Sequence, residues 1–343
     1  MRAGQWAAGL ILPLCVASAA AQPAADFYRG KRLTFIYAAD PGSSYDIETR
    51  LLGRYLAKHL PGAPVLVVES MPAAGGIAAL NYLSFNAPKD GTVIALVNRG
   101  NITLPLLGFA EAKFDASRLT WIGSRSGDST LAIVWHSVPA RSIEDMRRQK
   151  IVFGASGGGT DTNTLPRILN STLGTRLETV AGYTGGNGMT LALERGEIEG
   201  RIWSLGGILA SQPDWYREKK IVPLLQFALD ERPGLAGVPL AQDLATDEAS
   251  RQILRFFSAR SELGLPILGP PGLPPERTAE LRRAFDASMA DPDFRAEAAK
   301  AQIELEPRSG ERLAELVSLI YRTPAAIIDG AKAMLAKQGI QLQ

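Results

Sequence analysis

The chain has 343 residues, more than one hydrophobic core usually serves, so length favours two domains of about 150 residues each. Charged residues are 21% and apolar residues 46% of the chain, an ordinary globular composition that excludes a disordered, collagen-like or polytopic membrane protein. The 37 Lys and Arg nearly balance the 35 Asp and Glu. No basic run exceeds Arg147-Arg148 with Lys150, which removes the electrostatic basis for binding nucleic acid. Two histidines, His59 and His136, and one cysteine, Cys15, cannot assemble a Cys/His zinc site, and no metal or cofactor is expected.

Arg2 is the only charge before Asp26, and the apolar stretch from Trp6 ends in Ala19-Ala20-Ala21. This is the pattern of a secretory signal peptide over residues 1–21, cleaved after Ala21. The same segment is long enough for a membrane anchor. Pro13, the many weakly apolar alanines and the small-residue exit argue for cleavage, and bulky Leu14 before Cys15 argues against a lipoprotein signal. Cleavage removes the only cysteine, so the exported chain must be held by its cores and not by disulfides.

Leu33 to Tyr37 reads as a buried strand running into the turn chemistry of Asp40-Pro41-Gly42-Ser43-Ser44. Ser43 or Ser44 can cap a following helix with Asp46 and Glu48 in its first turn and an apolar face of Ile47, Leu51, Leu52, Tyr55 and Leu56. Strand Val65–Glu69, loop Pro72–Gly76, helix Ile77–Phe85 and strand Thr92–Val97 complete a βαβαβ unit, which predicts a parallel sheet with covering helices. The pattern restarts with strand Leu131–Trp135, a short helix at Ser142–Arg148 and strand Ile151–Phe153. Then come the loop Gly154–Thr160, helix Asp161–Leu173, strand Leu177–Val180, loop Gly182–Asn187 and a helix through Glu194. Ile198–Trp203 and Ile221–Phe227 read as further strands. After the punctuation Leu268-Gly269-Pro270-Pro271-Gly272-Leu273-Pro274-Pro275 the chain reads as helical over Arg277–Met289, Pro292–Ala301 and Ser309–Lys337, a tail returning over the first unit.

Gly154-Ala155-Ser156-Gly157-Gly158 is a literal G-x-S-x-G between a strand and a helix, the setting of a hydrolase nucleophile. Such hydrolases place their histidine after the serine, whereas both histidines here precede Ser156. Phosphate-binding and dinucleotide fingerprints are absent: Gly30-Lys31 precedes the first strand, and Pro41–Asp46 holds one glycine where three are needed. Glu194, Glu197 and Glu199 fall around a helix end and a strand and read as solvated charges, not an acid/base pair. What repeats in both units is a small-residue loop leading into a helix N-terminus. There, free N–H groups and the positive dipole end receive an anionic oxygen without Lys or Arg. Two such termini facing each other across a cleft would grip a small organic acid.

The order of Tyr28-Arg29-Gly30-Lys31, Pro41–Asp46 with Arg50, Glu69–Gly76 and Ala87–Thr92 resembles the Bug-type receptors of tripartite tricarboxylate transporters. So does that of Trp121-Ile122-Gly123-Ser124, Gly154–Thr164, Gly182–Asn187, Glu194-Arg195-Gly196-Glu197 and Ala290-Asp291-Pro292. The likeness spans essentially the whole mature chain. It implies a periplasmic solute-binding fold of type II, two α/β domains joined by crossover strands with a ligand cleft between them. Domain 1 would be residues 26–128 with 262–343, and domain 2 residues 129–261. It further implies a periplasmic, non-enzymatic protein that closes on a small carboxylated ligand and delivers it to membrane permease subunits.

The site implied by the resemblance is Gly42, Ser43, Ser44, Tyr45 and Asp46 in the first loop, and Ser156, Gly157, Gly158, Thr160, Asp161 and Thr162 in its counterpart. Ala74 and Gly75, Asn98 and Arg99, and Gly185, Gly186 and Asn187 would line the cleft. Gly42-Ser43-Ser44 departs from the two or three glycines usual in that family and adds hydroxyl donors. Arg99 could clamp a second carboxylate or lie on the surface. Two other classes stay open: a periplasmic sensor for a receptor kinase, and a secreted serine hydrolase using Ser156.

Overall fold

The computed structural model describes residues 27–342 except Thr184, Pro233 and Gln302; the expected signal peptide and its cleavage site lie outside them. No helix among the described residues is long and apolar enough to cross a membrane.

Strands β1 (Arg32–Tyr37), β2 (Val65–Ser70) and β3 (Val93–Leu96) pair in parallel in the order β2-β1-β3, as the βαβαβ pattern predicts. Helix α1 (Ser44–His59) connects the first two and α2 (Ile77–Phe85) the second and third. Ser43 caps α1 by accepting the Asp46 N–H at 3.5 Å. Leu51, Leu52, Tyr55 and Leu56 of α1 are buried as expected, while Ile47 is exposed. The sheet then grows by strands that run the other way: β10 (Ile267–Gly269) between β3 and β4 (Thr120–Ser124), with β11 (Arg308–Ser309) on the far edge of β4. It is therefore a mixed sheet of six strands. The antiparallel part comes from short segments whose lengths carry too little periodicity to announce a strand.

A second sheet is built from β5 (Thr130–Trp135), β6 (Ile151–Ala155), β7 (Leu177–Ala181), β8 (Gly200–Ser204) and β9 (Ile221–Phe227), in the order β7-β6-β8-β5-β9. Strand β6 is parallel to β7 and β8, while β5 is antiparallel to β8 and β9. Around it lie α3 (Ile143–Arg148), α4 (Asp161–Leu173), α5 (Gly186–Glu194), α6 (Leu205–Ser211), α7 (Pro213–Arg217) and α8 (Glu248–Ala259). One hydrophobic cluster runs continuously from Ile36 and Val97 of the first sheet region to Phe153 and Leu225 of the second. The two α/β units thus share buried apolar surface.

The C-terminal helices are α9 (Pro275–Ala290), α10 (Pro292–Lys300), α11 (Gly310–Tyr321) and α12 (Ala325–Lys337). The segment 309–337 is two helices and not one. Pro324 supplies no N–H and disfavours helical backbone in the residue before it, so the chain restarts there. Helices α9 and α10 pack on α1, and α11 packs on β4, whereas α12 lies against α4 and α8. The tail therefore does not return as a whole to the first unit; its last helix crosses to the second.

The chain leaves the first sheet through Arg125–Ser129 and returns through α8, and this junction is held by buried ion pairs. Arg125 donates from Nε and Nη2 to the Glu48 carboxylate of α1, the second bond being 3.0 Å. Arg260, just after α8, pairs with Asp161 at 2.8 Å and donates to Gly100 O and Thr103 Oγ1, both at 3.1 Å. Gly264 has φ +60°, and a Cβ there would stand 1.7 Å from Ser126 O, so only glycine fits between the two crossings. Gly264→Ala is expected to lower the unfolding free energy by at least about 2 kcal/mol in urea titration. Gly272→Ala, with a similar φ of +77° but open space around it, should cost about 1 kcal/mol.

Candidate functional site

A cavity of about 160 Å³ lies between the two sheets. At ~10–15 Å³ for each water-sized position, it admits a solute of roughly a dozen non-hydrogen atoms. Its walls are the segments that follow β1, β2, β3, β6, β7 and β8. Except for Thr130 at the start of β5 and Arg201–Trp203 within β8, these are the carboxyl ends of the strands, where loops leave a sheet and ligands of α/β proteins gather.

The first wall is the N-terminus of α1, with Ser43, Ser44 and Tyr45 facing the cavity. The first N–H groups of a helix have no partner within it, and the helix adds about half a positive charge there. Burial pushes the Tyr45 phenol well above its usual range, so it stays a neutral hydroxyl. Asp46 does not face the cavity: its carboxylate accepts the Gly42 N–H at 2.8 Å and pairs with Arg50 at 2.6 Å. Gly42 and Asp46 therefore shape the turn behind Ser43 and Ser44, which corrects their expected place in the cleft lining.

The opposite wall is the N-terminus of α4, where Ser156, Thr160 and Thr162 bring three hydroxyls together. Ser156 Oγ donates to Thr160 Oγ1 at 3.1 Å, and Thr160 Oγ1 donates to Gly157 O at 2.8 Å. Thr162 Oγ1 accepts the Ser156 N–H at 3.1 Å and lies 2.8 Å from Thr160 Oγ1. With those two hydroxyl protons committed, the 2.8 Å contact between Thr160 and Thr162 takes its proton from Thr162, which can serve an acceptor in the cavity only by giving up that bond. Neither histidine touches Ser156: His59 bonds Asp291 at 2.8 Å, and His136 packs beside Trp135. Asp161 lines the cavity too, with its charge met by Arg260.

The third wall joins the N-terminus of α5, with Gly185, Gly186 and Asn187, to β8 and its end. Gly185 packs against Asp40 of the first unit, and Asn187 donates to Pro41 O at 3.4 Å. The lips of the cleft also meet at Gly75, where a Cβ would come within 2.3 Å of Thr160 Cγ2. That lip is the left-handed turn Ala74-Gly75-Gly76, pinned by the Asn101 amide donating to Gly75 O at 2.9 Å. Ala74 and Gly158 border a separate hollow together with Phe109 and Asn163, and Gly157 packs on Gly75. These three do not line the main cavity. Of the expected residues the cavity gathers Ser43, Ser44, Tyr45, Gly75, Asn98, Arg99, Ser156, Thr160, Asp161, Thr162, Gly185, Gly186 and Asn187.

Arg99 is neither a surface residue nor a free clamp. It is 4% exposed and its guanidinium is taken by Asp128 at 3.2 Å, Gly264 O at 3.1 Å and Thr130 Oγ1 at 2.7 Å. The cation that sequence reasoning missed is Arg201 on β8, which lines the cavity with Trp203, Thr130 and Ser204. It is 3% exposed, donates to Gly186 O at 2.8 Å and Thr190 Oγ1 at 3.2 Å, and lies 4.1 Å from the Trp203 ring centre. Its Nε is buried without a hydrogen-bond partner among the described residues. Desolvation pushes its guanidinium down to about 9. Alternation along Ile198–Trp203 sets Arg201 with Glu199 and Trp203, opposite Ile198 and Ile202, so the pattern alone reads it as a solvated charge.

Two mixed α/β units around a cleft at their strand ends define the class of a solute-binding protein. The chain matches the family described as tripartite tricarboxylate transporter family receptor (TctC) over residues 49–330, and it belongs to that family. It is 26% identical to the UPF0065 protein in gbd 5'region of Cupriavidus necator, across 98% of this chain and 97% of that one. Among solved structures it resembles the periplasmic binding protein BugD, with a TM-score of 0.70 at 18% identity over 92% of this chain and all of that one. It also resembles an R. palustris protein solved with adipate, with a TM-score of 0.68 at 18% identity over 88% of this chain and 97% of that one. The expected fold class and family are borne out.

Removing Arg99 would leave Asp128 buried without its cation. Arg99→Met is therefore expected to cost about 3–5 kcal/mol in chemical unfolding, with much of the loss recovered in Arg99→Met combined with Asp128→Leu.

Proposed function

We propose that this chain is a periplasmic solute receptor that binds a small organic acid by cleft closure and presents it to the membrane subunits of a tripartite tricarboxylate-type transporter. The observation that carries the reading is the convergence of the N-termini of α1, α4 and α5, contributed by both units, on one cavity with the Ser156, Thr160 and Thr162 hydroxyls. An oxyanion in that position is stabilised by directed N–H and O–H groups and by the helix dipoles. Family membership supports the transporter role, and the relative solved with adipate supports a carboxylate as the class of ligand. Export through the N-terminal signal follows the same reading.

The moving units are taken as residues 26–128 with 262–343 against 129–261, hinged where the chain crosses near Arg125–Ser129 and after α8. The packing of α12 on α4 and α8 favours assigning that last helix to the second unit. A hydrolytic role for Ser156 is not favoured, because its hydroxyl is engaged by threonines and not by a base.

In a thermal-shift panel, an organic acid should raise the melting temperature with concentration and be recovered unchanged. Thr162→Val and Ser156→Ala should each weaken binding about tenfold, the value of a hydrogen bond to a charged group, with the fold intact. A panel in which no acid shifts the transition, or ester turnover that disappears in Ser156→Ala, would overturn the reading.

A further inference from the structure

Five arginines are buried among the described residues: Arg99, Arg125, Arg201, Arg260 and Arg277. Four of them meet a carboxylate, in the pairs Arg99–Asp128, Arg125–Glu48, Arg260–Asp161 and Arg277–Glu280. Arg201 meets a carbonyl, a hydroxyl and an indole face, and one of its donors has nothing. A guanidinium removed from water without a counter-charge is costly, which is why such groups are paired or serve a ligand. The other acids near the cavity are already engaged or lie apart from it. Asp161 is held by Arg260 and Asp128 by Arg99, while Asp40 stands against Gly185 and does not line the cavity.

The neutral donors and the cation stand on different elements. The hydroxyl cluster belongs to the loop after β6 and the start of α4, whereas Arg201 lies within β8, under the first turn of α5 and next to Trp203. A carboxylate on the helix N-termini and hydroxyls leaves Arg201 for a different part of the same molecule.

We propose that Arg201 is the counter-ion for a second acidic group of the ligand, so that the receptor selects small acids bearing an oxyanion at each end over their singly charged analogues. This rests on the receptor reading above and adds to it a specificity-determining residue and the charge of the solute. The second oxyanion meets the part of the guanidinium that lines the cavity. Trp203 bounds the space beside it, so the chain joining the two acidic groups lies against an aromatic face.

The test is calorimetric titration of the full mature chain with linear dicarboxylates from malonate to adipate and with the monoamide of each. The best diacid should bind the unaltered protein on the order of 100-fold more tightly than its own monoamide. In Arg201→Gln that preference should shrink to within about threefold, through loss of diacid affinity and not gain of monoamide affinity. Ligand-free Arg201→Gln should melt no lower than the parent, because an unpaired buried cation is being removed. If diacid and monoamide bind the parent equally, or Arg201→Gln keeps the preference, Arg201 is not the counter-ion and the receptor reading stands. A markedly lower ligand-free melting temperature with preference retained would assign Arg201 a structural role instead. If no acid binds the parent at all, both readings fall together.

Discussion

A guanidinium taken out of water has to find a negative charge, and the junction between the two sheets is organised around that requirement. Arg125 ties the outgoing crossover to Glu48 of α1, and Arg260 ties the end of α8 to Asp161 at the head of α4. Arg99 joins the turn after β3 to Asp128 and to the carbonyl of Gly264. Each pair links a residue of one unit or crossing to a residue of another. In a low-dielectric setting, breaking one leaves an uncompensated charge that costs far more than the net worth of the pair. The consequence is geometric: the N-termini of α1 and α4 are fixed at their roots, so their first N–H groups are positioned before any solute arrives.

That preorganisation explains how the α1 and α4 walls can receive an anion through neutral donors. A flexible loop that had to order around an anion would lose conformational entropy on binding. Here Ser43 caps α1, Thr160 is bonded to Gly157, and the Gly75 turn is pinned by Asn101, so little remains to be ordered. Contacts such as Asn187 to Pro41 and Gly75 against Thr160 cross the cleft directly. A solute that adds bonds to both walls therefore stabilises the closed arrangement by its differential affinity for it.

Much of this was legible in the sequence because its signals were local. Strand β1, helix α2, helix α4 and strand β9 follow from apolar runs, caps and turn residues that need no tertiary knowledge. The small-residue loops before α1, α4 and α5 were readable for the same reason, and they supply most of the cavity wall. What was not legible depended on partners distant in the chain. Strands β10 and β11 are three and two residues long, too short to show a period, and they pair along the edges that β3 and β4 offer. Asp46 was expected in the site because the family resemblance carries over the whole loop Gly42–Asp46, yet its carboxylate is spent on Gly42 and Arg50. Arg99 follows a strand and Arg201 lies within one, and nothing local to either position shows which of them meets an acid. Only the position of Asp128 makes one a structural cation and leaves the other without an acid.

The contrast between the two walls bears on selectivity. Serine and threonine hydroxyls both donate and accept, so a cluster of them accommodates a carboxylate, an amide or a water by turning its protons. Helix N-terminal amides favour an anion but act through partial charges within a single turn. A guanidinium only donates, in a fixed plane, and cannot adapt to an –NH₂ that also donates. Placing the tolerant donors on α1 and α4 and the intolerant one on β8 divides the labour: the first wall holds an acidic group of any solute that fits, and the second decides which solutes are kept. The Arg201 guanidinium, desolvated and without an acid among the described residues, carries a cost that a second oxyanion would offset. The same group that weakens the ligand-free protein thereby sharpens the difference between the right solute and a near neighbour.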